Sequence, residues 1–101
     1  MNAKKELLKI LGPLKMKCAK LNFNDYYIEP VEYIILKINY SKSDLKEFLN
    51  KLDKEYDDDY GGQNLYGIVW LEDNTWLERG EYDGSEWWNH CKLPAIPEEC
   101  K

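Results

Sequence analysis

Two closely spaced turn signals, Asp73-Asn74 and Asp83-Gly84, constrain this chain more than any other feature of it. Each separates apolar, β-prone runs, and two-residue loops of this composition suit the left-handed dihedrals of primed hairpin turns. Together they imply a three-stranded antiparallel meander over Leu65–Cys91. Pairing Glu72 with Thr75 sets the expected register of the first hairpin, with Trp70 opposite Leu77, Ile68 opposite Arg79 and Gly67 opposite Gly80. Pairing Tyr82 with Ser85 sets the second, with Glu81 opposite Glu86, Gly80 opposite Trp87 and Arg79 opposite Trp88.

Strand side chains alternate between faces, so this register sorts the meander in two. Leu65, Val69, Leu71, Trp76, Trp87 and Cys91 form the expected core face, with Trp87 covering the gap left by Gly67 and Gly80. The opposite face then carries Tyr66, Ile68, Trp70, Leu77, Arg79, Glu81, Glu86, Trp88 and His90. On it Arg79 can stack on Trp88. Glu81 opposite Glu86 is repulsive unless a cation intervenes, either Arg79 or one from a partner. Aromatic and arginine anchors ringed by acids describe a partner-binding surface, here Trp70, Arg79, Glu81, Asp83, Glu86, Trp88 and His90. The structural alternative is that an N-terminal helix covers this face and buries Trp70 and Trp88.

The remaining segments complete an α+β single domain over residues 1–101, with an antiparallel sheet of four to five strands. Ala3–Leu11 is a short helix with Leu7, Leu8 and Leu11 on one side, stopped by Gly12-Pro13, so that 1–12 reads as one helical unit. Leu14, Met16 and Cys18 alternate with lysines, but the alternation fails at Ala19-Lys20, which implies a short or irregular strand. Asn22–Glu29 is a loop, with room for a short strand at Tyr26–Ile28. Val31–Tyr40 is apolar on both faces in its middle and is expected as a central strand. Ser41-x-x-Asp44 is a capping box opening an amphipathic helix over Ser41–Tyr56, which packs on the sheet through Leu45, Phe48, Leu49 and Leu52. The tail 93–101, with its two prolines, runs extended, and Ile96 tucks against the sheet.

Composition excludes several function classes. A net charge of −5 argues against binding a nucleic-acid backbone, which needs clustered cations. The lysines gather in the first 20 residues and the acids later, a layout that can steer a basic partner. Cys18, Cys91 and Cys100 have no CxxC spacing, which fits neither a disulfide framework nor a zinc ribbon. The run Asp57-Asp58-Asp59 lacks the closing Glu of a calcium loop, so no metal and no other cofactor is expected. The opening residues lack the apolar core of a signal peptide, and no run is long enough for a membrane span, so a cytoplasmic setting is expected. One histidine, with no Ser or Cys in a nucleophile context, assembles no catalytic triad, so the chain does not read as an enzyme.

The segment YGGQNLYGIVWLEDNTWLERGEYDGSEWWNH resembles a signature of small proteins from phages and other viruses, in which a YGGQ-type segment precedes a strand and an RGEYDGSEWW block. The likeness spans Asp53 to Pro97, and Asn74 departs from it where a glycine is more usual. The resemblance implies a viral origin and the host cell cytoplasm as its setting; it carries over no catalytic or binding residue. With that origin, a small acidic domain is expected to bind a protein of the host or virus, for example as an inhibitor of a host defence protein. The alternatives are a minor structural or assembly component that self-associates into homo-oligomers, and a sugar or small-molecule binder using tryptophan as a platform.

Overall fold

The computed structural model describes residues 1–23, 32–56 and 63–101. Within them the chain folds as α+β, with two helices and a five-stranded antiparallel sheet. The elements are α1 (Ala3–Leu11), β1 (Met16–Phe23), β2 (Ile34–Leu36), α2 (Lys42–Leu52), β3 (Leu65–Leu71), β4 (Trp76–Tyr82) and β5 (Ser85–Cys91). Across the sheet the strands lie in the order β2-β1-β3-β4-β5. No described helix is long and apolar enough to cross a membrane.

Local chemistry explains the helix ends. The Asn2 side chain caps α1 by accepting from the Lys5 amide at 3.0 Å, and Gly12, at φ 52°, closes it in a conformation that a Cβ disfavours. Helix α2 has the expected reciprocal capping box, with Ser41 Oγ accepting from the Asp44 amide and Asp44 Oδ2 from the Ser41 amide, both at 3.0 Å. It ends at Leu52 rather than Tyr56. The segment after it pairs instead with the start of the chain, through Ala3 N to Lys54 O and Tyr56 N to Met1 O. This frees Tyr56 to turn inward, where it is buried. The expected strand at Tyr26–Ile28 and the acidic run 57–59 lie outside the described residues.

Three expectations for the sheet are corrected. Strand β1 is irregular, as expected, but not short: it runs for 8 residues between β2 and β3, and a bulge between Met16 and Cys18 shifts its alternation. That extra residue is why Met16 and then Ala19 and Leu21 are buried, and why a strict two-residue period fails there. Among the described residues of the expected strand Val31–Tyr40, only the three of β2 are strand, and they lie at the edge of the sheet and not its centre. Ile35 is simply exposed on the uncovered side, and Asn39 turns the chain towards α2 at φ 65°.

The third correction has the largest effect. Asp83-Gly84 makes the expected two-residue turn, both residues at positive φ, and β4–β5 pair as read, with Glu81↔Glu86, Gly80↔Trp87 and Arg79↔Trp88. The first hairpin does not close on Glu72 and Thr75. Its loop holds three residues, Glu72-Asp73-Asn74, with Asn74 N donating to Leu71 O and Leu71 N to Thr75 O. Only Asn74 takes positive φ, 68°, while Asp73 Oδ1 accepts from the Thr75 amide in an Asx turn. The register therefore slips by one, to Trp70↔Trp76, Val69↔Leu77 and Ile68↔Glu78. A one-residue slip exchanges the faces of everything that follows.

Leu7 and Leu11 of α1 and Phe48 and Leu52 of α2 join Leu21, Leu36, Leu65, Val69, Leu71 and Leu77 in one core. Both helices thus lie on the same side of the sheet. The expected row of Gly67, Gly80 and Trp87 is broken. Gly80 keeps Trp87, whose indole occupies the space a Cβ there would need. Gly67, at φ 132°, instead lets the β1 backbone approach so closely that a Cβ would sit 2.2 Å from Lys20 O. The tail extends as expected up to a 3-10 turn at Glu98–Cys100, but Ile96 stays exposed rather than tucking against the sheet.

Candidate functional site

The corrected register divides the residues expected to bind a partner. Arg79, Glu86 and Trp88 face the helices and are buried. The Arg79 guanidinium lies 2.9 Å from Glu86 Oε1 and 3.0 Å from Glu6 Oε1, and donates to the Tyr56 hydroxyl at 3.1 Å. It packs over the Trp88 ring at 4.9 Å and the Tyr56 ring at 5.7 Å. Tyr56 in turn donates to Glu6 at 2.6 Å. Glu86 also accepts from the Asn64 and Leu65 amides, at 2.6 and 3.0 Å, beyond the last pair between β3 and β4. One carboxylate thus substitutes for ladder partners that β4 does not supply.

The cluster is charge-compensated, although among the described residues Arg79 Nε and the Trp88 indole nitrogen find no hydrogen-bond partner. Burial opposes ionisation of Glu86, yet hydrogen bonds from Arg79, Leu65 and Asn64 outweigh it and hold the carboxyl below its ordinary range. Burial also opposes the charge on Arg79, and Glu86, Tyr56 and Glu6 more than restore it. Burial and the hydrogen bond to Glu6 push the Tyr56 hydroxyl well above its usual value. Arg79 compensates Glu86, as the sequence asked, but its second carboxylate is Glu6 and not Glu81, and it stacks on Trp88 as expected. Its work is to join α1, β4 and β5.

The other expected site residues lie elsewhere. Glu81 and Asp83 are exposed at the second hairpin, where Glu81 Oε1 accepts from the Gly84 amide at 3.0 Å. His90 is exposed, with Nε2 at 2.7 Å from Thr75 Oγ1, and that hydroxyl also donates to Asp73. This hydroxyl contact and the amide of Thr75 hold the Asp73 carboxyl below its ordinary value. Trp70 is not beside Trp88: it points from the opposite side of the sheet and is 41% exposed.

That opposite side, free of both helices, is where the structure gathers exposed aromatic surface. Cross-strand neighbours place Cys18, Trp70, Trp76 and Cys91 in one row. Ile35, Lys20, Ile68, Glu78 and Asn89 form the next. Beyond the last pair between β3 and β4 lie Asn22 beside Tyr66 and, separately, Gly80 beside Trp87. Trp87 is 40% and Tyr66 38% exposed. The Trp87 indole is fixed over Gly80 by donating to Asn89 Oδ1 at 2.9 Å, and Lys20 reaches over the Tyr33 ring at 4.3 Å. Trp76 and Trp87 were assigned to the core because their placement depended on one loop residue, whereas Tyr66, on β3, lies on the face expected for it. The only sequence signal for that loop residue was Glu72 before Asp73-Asn74, which allows the longer loop. No family model, curated protein or solved structure matches this chain.

Proposed function

We propose that this protein is a protein-binding module whose contact surface is the open sheet face carrying Tyr66, Trp70, Trp76 and Trp87. The observation that carries the reading is the contrast between the two faces: one holds both helices, while the other leaves rigid aromatic side chains in water. Trp and Tyr supply contact area at low entropic cost and dominate binding hot spots. Stacking of single-stranded bases is disfavoured, because that mode needs a cationic groove and this face sets Lys20 against Glu78. The Asp73–Thr75–His90 contacts favour a non-catalytic reading as well, since the hydroxyl lies between acid and imidazole and the acid therefore does not orient the base.

Inhibition of a host protein and assembly of a larger body are the two forms such binding takes in a chain resembling phage and viral proteins. The test is retention of proteins from a lysate by wild type and by the double variant Trp70→Ala, Trp87→Ala. Loss of the retained proteins with unchanged thermal stability is expected; equal retention by both would sink the reading. A sugar platform is the second reading, favoured by the direct pairing of Trp70 with Trp76 beside Glu78 and Asn89. Oligosaccharide titration followed by tryptophan fluorescence separates it from the first.

A further inference from the structure

The open face carries a charge pattern that is complementary to itself. In its middle row Lys20 and Glu78 flank Ile68 on either side of β3, each one strand away, about 4.8 Å. β3 is also the middle strand of the five. Two copies stacked face to face can be related by a two-fold axis in the plane of contact, running either along the strands or across them. An axis across the strands, through the middle row, sets Lys20 on the partner's Lys20 and Glu78 on the partner's Glu78. An axis along β3 sets each Lys20 on the partner's Glu78, twice per dimer, with Ile68 on the partner's Ile68. The same operation brings Cys18 opposite the partner's Trp76, small against large. Tyr33, beside Lys20 at the β2 edge, falls near the partner's Trp87. Aligned sheets cross at about 30°, and so close to the axis this rotation moves the charges by only ~2–3 Å, within reach of flexible Lys and Glu side chains.

We infer that a second copy of this chain docks on the open face, about a two-fold axis lying along β3, with Lys20 of each copy paired to the partner's Glu78. The inference rests on the reading of this face as a protein-binding surface and names its occupant. The face spans roughly 20 by 23 Å, so the pair covers on the order of 900 Å² in projection, the small end of specific interfaces. The dimer is therefore weak, with dissociation in the range of tens to hundreds of micromolar.

Sedimentation or light scattering from about 10 µM to 1 mM spans that range and should show monomer converting to dimer. Lys20→Glu and Glu78→Lys should each weaken dimerisation by at least ~10-fold, because like charges then meet twice. An equimolar mixture of the two variants, and the single chain carrying both changes, should each restore it. Circular dichroism confirms that each variant is folded. A protein that stays monomeric at 1 mM, a dimer indifferent to either reversal, or a mixture that fails to recover would each overturn the inference. If the chain is monomeric yet loses lysate partners on Trp70→Ala, Trp87→Ala, the binding face stands and its occupant is a different protein. If it dimerises and the dimer is indifferent to those two changes, the face itself is wrong.

Discussion

Arg79 shows what one side chain can do in a small core. Its guanidinium is 1% exposed and Glu86 is fully buried, so removing either leaves charge without water to receive it. Arg79→Met leaves Glu6 and Glu86 facing each other and should cost about 3–5 kcal/mol in denaturant unfolding. Glu86→Gln keeps one acceptor oxygen for the Leu65 and Asn64 amides and should cost less, about 2–3 kcal/mol. The pH dependence follows from the depressed Glu86 carboxyl. Its stabilisation is complete above the unfolded value near 4.5 and is lost as pH falls through the lower folded value. Wild type should therefore lose stability in acid below about pH 4.5, and Glu86→Gln should flatten that limb in thermal melts between pH 3 and 6. An unchanged acid limb in the variant would assign the loss to other carboxylates.

Among the elements, the hairpin loops show where sequence reading succeeds and where it stops. Asp83-Gly84 was legible because both residues tolerate positive φ, which leaves a primed turn as the compact solution. Ser41 and Asp44 were legible for a similar reason: a capping box satisfies two amides in a way that few residue types can. Glu72-Asp73-Asn74-Thr75 was not, since an acidic turn beginning at either Glu72 or Asp73 is chemically acceptable. The bulge in β1 left only a broken alternation, and the edge position of β2 depends on partners far away in sequence. The loop geometry gives a test. Asn74 is the residue at left-handed φ, so Asn74→Gly should raise stability by about 0.5 kcal/mol and Asn74→Ala lower it by about 1 kcal/mol in urea titrations. Helix α1, at 9 residues, is too short to persist alone and depends on docking through Leu7 and Leu11. Leu7→Ala should cost about 3 kcal/mol, with the α1 amides losing hydrogen-exchange protection before those of β1 and β3.

At the scale of the whole molecule, two layers bury one face of the sheet and leave the other to solvent. The fold class, the helices and the meander were readable from periodicity and caps, whereas the inside and outside of β4 and β5 were exchanged. Tryptophan fluorescence reads this assignment directly. Iodide should quench most emission in the wild type, and Trp88→Phe should raise the quenchable fraction because it removes the one well-buried indole. Trp70→Phe should lower it. A lower quenchable fraction in Trp88→Phe would restore the two-residue register.

Surface loops ordinarily absorb insertions and deletions with little penalty. The Glu72–Asn74 loop should be an exception, because the Asp83-Gly84 turn locks β4 and β5 into one unit. Deleting a single loop residue would roll that hairpin over, delivering Arg79, Glu86 and Trp88 to solvent and Trp76 and Trp87 to the helices. Related chains are therefore expected to vary the letters of this loop while conserving its length, and a sequence that broke that length would have to rebuild both of its surfaces at once.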